Sequence, residues 1–160
     1  MLGKSETIKL FLSIAVCQAA GLIGSVFTFP AIAGWYSSIQ KPVFTPPSWV
    51  FAPVWTTLFL LMGISLYLVW SRGLESKKAK TAVYVFGLQL GLNVLWSFLF
   101  FGLQSPFLAF IEIILLWLSI LATTILFYRI SKPAGYLLIP YLLWVSFAAF
   151  LNYSIWVLNV

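Results

Sequence analysis

The 160-residue chain contains no histidine, a single cysteine (Cys17) and only three acidic residues, Glu6, Glu75 and Glu112. Each shortage removes a kind of chemistry. Without histidine there is no imidazole to bind a metal, to act as general base or to ligate haem iron. One cysteine forms neither an internal disulfide nor a cysteine-based metal cluster. Three scattered acids leave no carboxylate pair for general acid–base work, so hydrolytic and metal-dependent catalysis are set aside and no metal site is assigned. Charge of either sign is scarce: 8% of residues are charged and 62% hydrophobic, with a mean hydropathy of +1.06. A soluble domain carries about a quarter charged residues. This chain cannot clothe itself in polar surface, so its solvent is lipid, and its length fits one domain.

Apolar runs dominate what remains. Crossing the hydrocarbon takes about 20 apolar residues, and five stretches qualify: about 8–29, 48–70, 81–102, 107–128 and 135–157. The fold class expected is an all-α integral membrane protein, a five-transmembrane-helix bundle. The connections are a loop at 30–47, "SRGLESKKAK" (71–80), "LQSP" (103–106) and "RISKPA" (129–134). Pro106 and Pro133 stand where a following helix can begin, because proline is tolerated in a first turn. Lys4, Lys9 and Ala31-Ile32-Ala33 imitate a signal peptide, but the apolar run between them is too long for one.

Lysines and arginines set the orientation. Lys4, Lys9, Arg72, Lys77, Lys78, Lys80, Arg129 and Lys132 fall on one side and Lys41 alone on the other. This places the N-terminus on the cytoplasmic side of synthesis, with the C-terminus and the 30–47 loop across the membrane. The basic residues are topological signals, and no nucleic-acid partner is expected. Membrane lipid is.

With direction fixed, a rise of about 1.5 Å per residue gives depth. Trp55, Asn93, Trp96, Glu112, Trp144 and Asn152 converge on the outer half of the bundle, beneath the loop. Phe51, Trp55 and Phe59 share one stripe of the second span, Asn93, Trp96, Ser97 and Phe100 one of the third, and Trp144, Phe147, Ala148 and Leu151 one of the fifth. Pro140 can kink the fifth span just before Trp144. Flat aromatic walls with a few amides suit a large, planar, mostly apolar ligand. For Trp55, Trp96 and Trp144, core packing competes evenly with ligand contact. Trp35, Trp49, Trp70 and Trp156 read as interfacial anchors, and Trp117 as packing or lipid-facing. Glu112 is the one acid inside a span, a costly placement. It is either protonated or bonded to Asn93, Asn152 or a tyrosine hydroxyl. Gly87 and Gly91 form a GxxxG pattern that lets helices approach closely, within the bundle or in a homodimer.

Three segments, "WYSSIQKPVFTPPSWVFAPVW" (35–55), "QLGLNVLWSFLFF" (89–101) and "IPYLLWVSFAAFLNYSIW" (139–156), carry a resemblance that runs through nearly the whole chain. The sequence resembles the translocator protein family, also called tryptophan-rich sensory proteins or peripheral benzodiazepine receptors. The resemblance implies a commonly dimeric five-helix bundle with a pocket covered by the loop between its first two spans. It implies binding of protoporphyrin IX, haem and ligands of the benzodiazepine-receptor class, as ligands rather than required cofactors. Matched position by position, Trp55 and Trp144 fall on the pocket tryptophans, Asn93 on a pocket asparagine and Ala148 on a variable pocket position. Tyr36, Phe44, Pro46 and Pro47 fall on the covering loop, and Gly87 and Gly91 on the dimer motif. The membrane implied is the cell membrane of a bacterium or the mitochondrial outer membrane of a eukaryote.

The sequence departs from the family in three places. Ser37, Ser38 and Gln40 stand where many members carry charges, which puts a charged loop latch in doubt. Phe44 replaces a frequent tryptophan. No basic residue follows Tyr153 in "SIWVLNV", as the C-terminal sterol pattern would require, so sterol binding is not inferred. Pro42, Pro46 and Pro47 stiffen the loop, which reads as a lid over the pocket. Three functions remain in play: a receptor or sensor of porphyrins, a light- and oxygen-dependent porphyrin-degrading enzyme with Trp55 and Trp144 as catalytic candidates, and a porphyrin or lipid transporter. The missing internal repeat argues against alternating access.

Overall fold

A computed structural model describes residues 3–160. Helix α1 spans Lys4–Ala33, the short α2 Trp35–Ser38, α3 Ser48–Trp70, α4 Lys77–Ser97, α5 Pro106–Ile130 and α6 Lys132–Leu158. A π-helical turn, Phe98–Gly102, continues α4. The five long helices are each long and apolar enough to cross a membrane. The chain is therefore an all-α, multi-pass integral membrane protein.

Three expected boundaries move, each for a physical reason. The loop does not begin at Pro30: α1 runs through that proline to Ala33. Near hydrocarbon, ending a helix strands several backbone groups, whereas an internal proline forfeits one bond. After Gly34 the chain coils again into α2, so only residues 39–47 are non-helical. Helix α4 starts at Lys77 rather than 81, because the Ser76 hydroxyl accepts from the Ala79 amide at 3.1 Å and caps it. The expected link 129–134 shrinks to Ser131. Gly135 permits so abrupt a reversal, since a Cβ there would lie 2.8 Å from Tyr128 Cα. Pro106 and Pro133 do occupy first turns.

The helices close into a ring in the order α1, α3, α6, α5, α4 and back to α1. Small residues set how near neighbours lie. A Cβ on Gly63 of α3 would sit 2.6 Å from Ile14 Cα, and one on Gly21 of α1 2.6 Å from the Phe59 ring. Gly24 of α1 faces the Ser97 hydroxyl. Gly87 and Gly91 do not pack inside the bundle: a Cβ on either meets nothing within 4 Å. Side-chain hydrogen bonds then pin the ring. The Ser65 hydroxyl donates to the Ala134 carbonyl at 2.8 Å, joining the C-terminal part of α3 to the start of α6. The Trp117 indole, expected to pack or to face lipid, donates to the Ser146 hydroxyl at 2.7 Å and joins α5 to α6.

Gly63→Ala should lower the thermal midpoint in detergent, by the roughly 1–3 kcal/mol that overpacking costs. Gly91→Ala should leave the midpoint unchanged or raise it, since alanine is the better helix former. Equal effects would contradict the close contact of α1 with α3.

Candidate ligand-binding site

Helices α3 and α6 face one another with aromatic stripes. On α3, residues 51, 55 and 59 recur at one-turn spacing. On α6, Tyr141, Trp144, Phe147, Ala148 and Leu151 do much the same. Trp55 lies 5.6 Å from Phe59 and 6.2 Å from Tyr141 between ring centroids. Phe51 meets Trp144 edge to face at 6.0 Å, and Trp144 lies 5.6 Å from Phe147. From the loop, Phe44 reaches Phe147 at 6.4 Å and stacks on Phe150 at 5.2 Å. A run of rings thus descends from the loop to mid-bundle. Ala148 is half-buried beside it.

Amides and a phenol organise the interior. The Asn93 side-chain amide of α4 donates to the Tyr141 hydroxyl at 2.9 Å. The Trp96 indole donates to Asn152 at 3.0 Å, and Asn152 in turn donates to the Pro106 carbonyl at 2.8 Å. These bonds stitch α4, α6 and α5 together. Trp96 also stacks on Phe100 at 5.0 Å. Tyr36 packs beside Phe100 and Phe101, and Leu151 is buried in that same outer cluster. The π-helical turn places Phe100 and Phe101 for these contacts.

Several expected placements change. Ser97 turns to Gly24 of α1 rather than towards Trp144. Trp35, expected as an anchor, lies edge-on to Phe100 at 5.6 Å. Trp156 packs against Phe107, Phe110 and Tyr153. Trp49 is 75% exposed, as an anchor should be. Of the two expectations for Glu112, a bond to Asn93, Asn152 or a tyrosine hydroxyl is not formed among the described residues; the amides of Asn93 and Asn152 bond Tyr141, Trp96 and Pro106. A depression of about 460 Å³ opens between the loop, the 103–106 turn and the end of α6, and one of about 550 Å³ on the outward face of α4. Neither is lined by Trp55, Asn93 or Trp144.

The loop is held by a neutral latch. The Asn159 amide pairs with the backbone of Gln40: the Gln40 N–H donates to Asn159 Oδ1 at 3.0 Å, and Asn159 Nδ2 donates to the Gln40 carbonyl at 2.9 Å. Lys41 curls back, donating to the carbonyls of Tyr36 and Ile39 at 2.6 and 3.1 Å, with its ammonium 4.9 Å from the Tyr36 ring centroid. Pro46 and Pro47 lead into α3, Pro47 at its N-cap. Sequence reasoning missed Tyr141 and Asn159. The first was accessible, since it shares the Trp144 stripe; the second carries no local signal, its partner being 119 residues away.

Against this geometry, comparison with known proteins is decisive. The TspO/MBR family model matches residues 13–157. The chain belongs to the TspO/MBR family. Among similar proteins, the tryptophan-rich protein TspO of Chlorobaculum tepidum is 46% identical over 155 residues, covering 96% of this chain and 98% of that one. The translocator protein of Homo sapiens is 39% identical over 135 residues, covering 84% and 80%. The tryptophan-rich sensory protein of Cereibacter sphaeroides is 32% identical over 151 residues, covering 94% and 91%. The latch, the ring run and the Asn93–Tyr141 bond are thus features of a TspO/MBR chain.

Asn159→Ala removes both bonds to Gln40, each worth about 0.5–1.5 kcal/mol. Amide exchange at Gln40 should accelerate roughly 5- to 150-fold, while amides in the middle of α3 keep their protection. Unchanged exchange at Gln40 would mean that the loop is held by something else.

Proposed function

We propose that the protein is a membrane receptor or sensor that binds planar, largely apolar ligands, porphyrins foremost, between α3 and α6 beneath the latched loop. One observation carries this reading: aromatic rings of the loop, α3 and α6 pack against one another, and one of them, Trp55, meets Tyr141 of the buried Asn93–Tyr141 pair. Such walls bind by stacking and shape, with few polar groups to orient the ligand. The family resemblance points the same way, to protoporphyrin IX, haem and benzodiazepine-receptor ligands. One relative is named a sensory protein and another a translocator protein, in keeping with a receptor. Haem would bind without a histidine ligand. Its carboxylates would face the outer opening, where Lys41 is the one nearby cation. By the asymmetry of lysine and arginine, the protein sits with its N-terminus on the cytoplasmic side.

Stacking on one aromatic side chain is worth about 1–3 kcal/mol. Trp55→Ala and Trp144→Ala should each weaken binding of protoporphyrin IX about 5- to 150-fold by fluorescence titration. Trp49→Ala, on an exposed anchor, should not. Equal affinity in all three, with circular dichroism unchanged, would remove the ligand from this site.

We further propose a homodimer through the bare face of α4. Gly87 and Gly91 are exposed there with nothing packed on them, and a second copy of the helix can approach closely at such a pair. Gly87→Leu should shift the mass in mild detergent towards the monomer while porphyrin affinity is kept. Unchanged mass by light scattering would assign the dimer, if one forms, to another face.

A further inference from the structure

The exposed face of α4 carries a groove with charge at one end. Lys80, Tyr84 and Leu88 recur at one-turn spacing with Val83 and Gly87 beside them, and together with Leu74 they line the depression of about 550 Å³. Its floor is low because Gly87 has no side chain, and a Cβ there would meet nothing within 4 Å. One wall comes from outside the helix. Gly73, at φ +91°, turns the chain through the left-handed region that favours glycine. Leu74, the one large apolar residue of "SRGLESKKAK", follows it and is half-buried at the groove.

Cations gather at the end of the groove nearest the loop. Residues 71–80 hold Arg72, Lys77, Lys78 and Lys80 against one acid, Glu75, and all five are exposed. None of them is paired: the one salt bridge among the described residues joins Lys9 to Glu6. Lys80 is the cation that lines the groove itself. Its aliphatic stem can lie along apolar surface while the ammonium stays at the water. From Lys80 to Leu88 the helix rises about 12 Å. Positive at the water line and apolar below, the groove matches in two parts a lipid with an anionic head.

We propose that this groove binds an anionic phospholipid of the leaflet beside the 71–80 loop, its phosphate at Lys80 and one acyl chain along Val83, Gly87 and Leu88. Charge selects the occupant. A zwitterionic lipid brings a cation of its own to a segment where cations already outnumber acids four to one. A sterol brings only a hydroxyl and leaves those cations unmatched, although Lys80, Tyr84 and Leu88 also satisfy a loose inverted sterol pattern. A second copy lying the same way across the membrane would set its own lysines at the same depth, like charge beside like. Helices that meet at a pair such as Gly87 and Gly91 cross at about 40° and separate on either side. The dimer proposed above therefore leaves the charged end of the groove open to lipid. The site rests on the groove and its charges, and not on the aromatic stripes of α3 and α6.

Intact-mass spectrometry of the protein in detergent counts the lipids that each chain retains, and titration gives their affinities. Phosphatidylglycerol should bind wild type more tightly than phosphatidylcholine with the same acyl chains. Lys80→Gln should reduce that preference roughly 5-fold, the contribution of one cation beside an anionic lipid, and Lys80→Arg should keep it. Lys132→Gln, which removes a charge at the start of α6 outside the groove, should keep it too. Equal losses in Lys80→Gln and Lys132→Gln would mean diffuse attraction and overturn the site, as would equal binding of the two lipids to wild type. Leu74→Ser, which removes the wall supplied by the loop, should weaken both lipids and leave their ratio unchanged. Undiminished binding in that variant would overturn the groove. Glycerol 3-phosphate, a phosphate without chains, should not displace phosphatidylglycerol, and cholesterol should do so poorly. Ready displacement by either would give the site to a free phosphate or a sterol instead. A dimer mass altered by Leu74→Ser, with phosphatidylglycerol binding unaltered, would give the groove to a second copy and likewise overturn the proposal.

Discussion

Hydrocarbon offers no hydrogen-bond partner, and most of this structure follows from that constraint. Backbone groups must be paired along the chain, so the apolar stretches become helices. The same demand carries α1 through Pro30 and reduces the α5–α6 link to Ser131. Side-chain polar groups inside the bundle must also pair. Several do so between helices, with Ser65 on the Ala134 carbonyl, Asn93 on Tyr141 and Trp96 on Asn152. These bonds fix which helices adjoin, a choice that apolar burial alone would leave loose, because lipid tails are as apolar as leucine.

The site is built by the same economy. Tyr141 can sit fully buried on α6 because Asn93 reaches across from α4, and Tyr141 then supports one edge of Trp55. Asn152 accepts from Trp96 and donates to the Pro106 carbonyl, while Glu112 has no partner among the described residues. Above it, the loop needs no charge to stay closed. Two amide–backbone bonds from Asn159, the packing of Phe44 on Phe147 and Phe150 and the Lys41 fold-back hold it down.

The glycines separate two uses of one residue type. Those at 21, 24, 63 and 135 face side chains or backbone so near that a Cβ would crowd them. Gly87 and Gly91, which carry the recognisable motif, face open space. A GxxxG spacing marks a face on which helices can meet. It does not say which helix meets it.

The sequence by itself determined a great deal. Shortage of charge and five apolar runs imposed a multi-pass helical membrane protein, and three tryptophan- and proline-rich segments carried its family. One-turn spacing placed Phe51, Trp55, Trp144 and Phe147 on the stripes where they stand, because helical geometry is local. Only the tertiary structure decided the rest. Whether Ser97 faces α6 or α1 depends on the rotation of a whole helix, and whether Glu112 has a partner depends on which side chains of neighbouring helices come within reach of it. That the loop is latched by Asn159 depends on a contact between residues 119 apart. These are relations between helices, set by packing and by competition for hydrogen bonds, and no single stretch of sequence contains both of their partners.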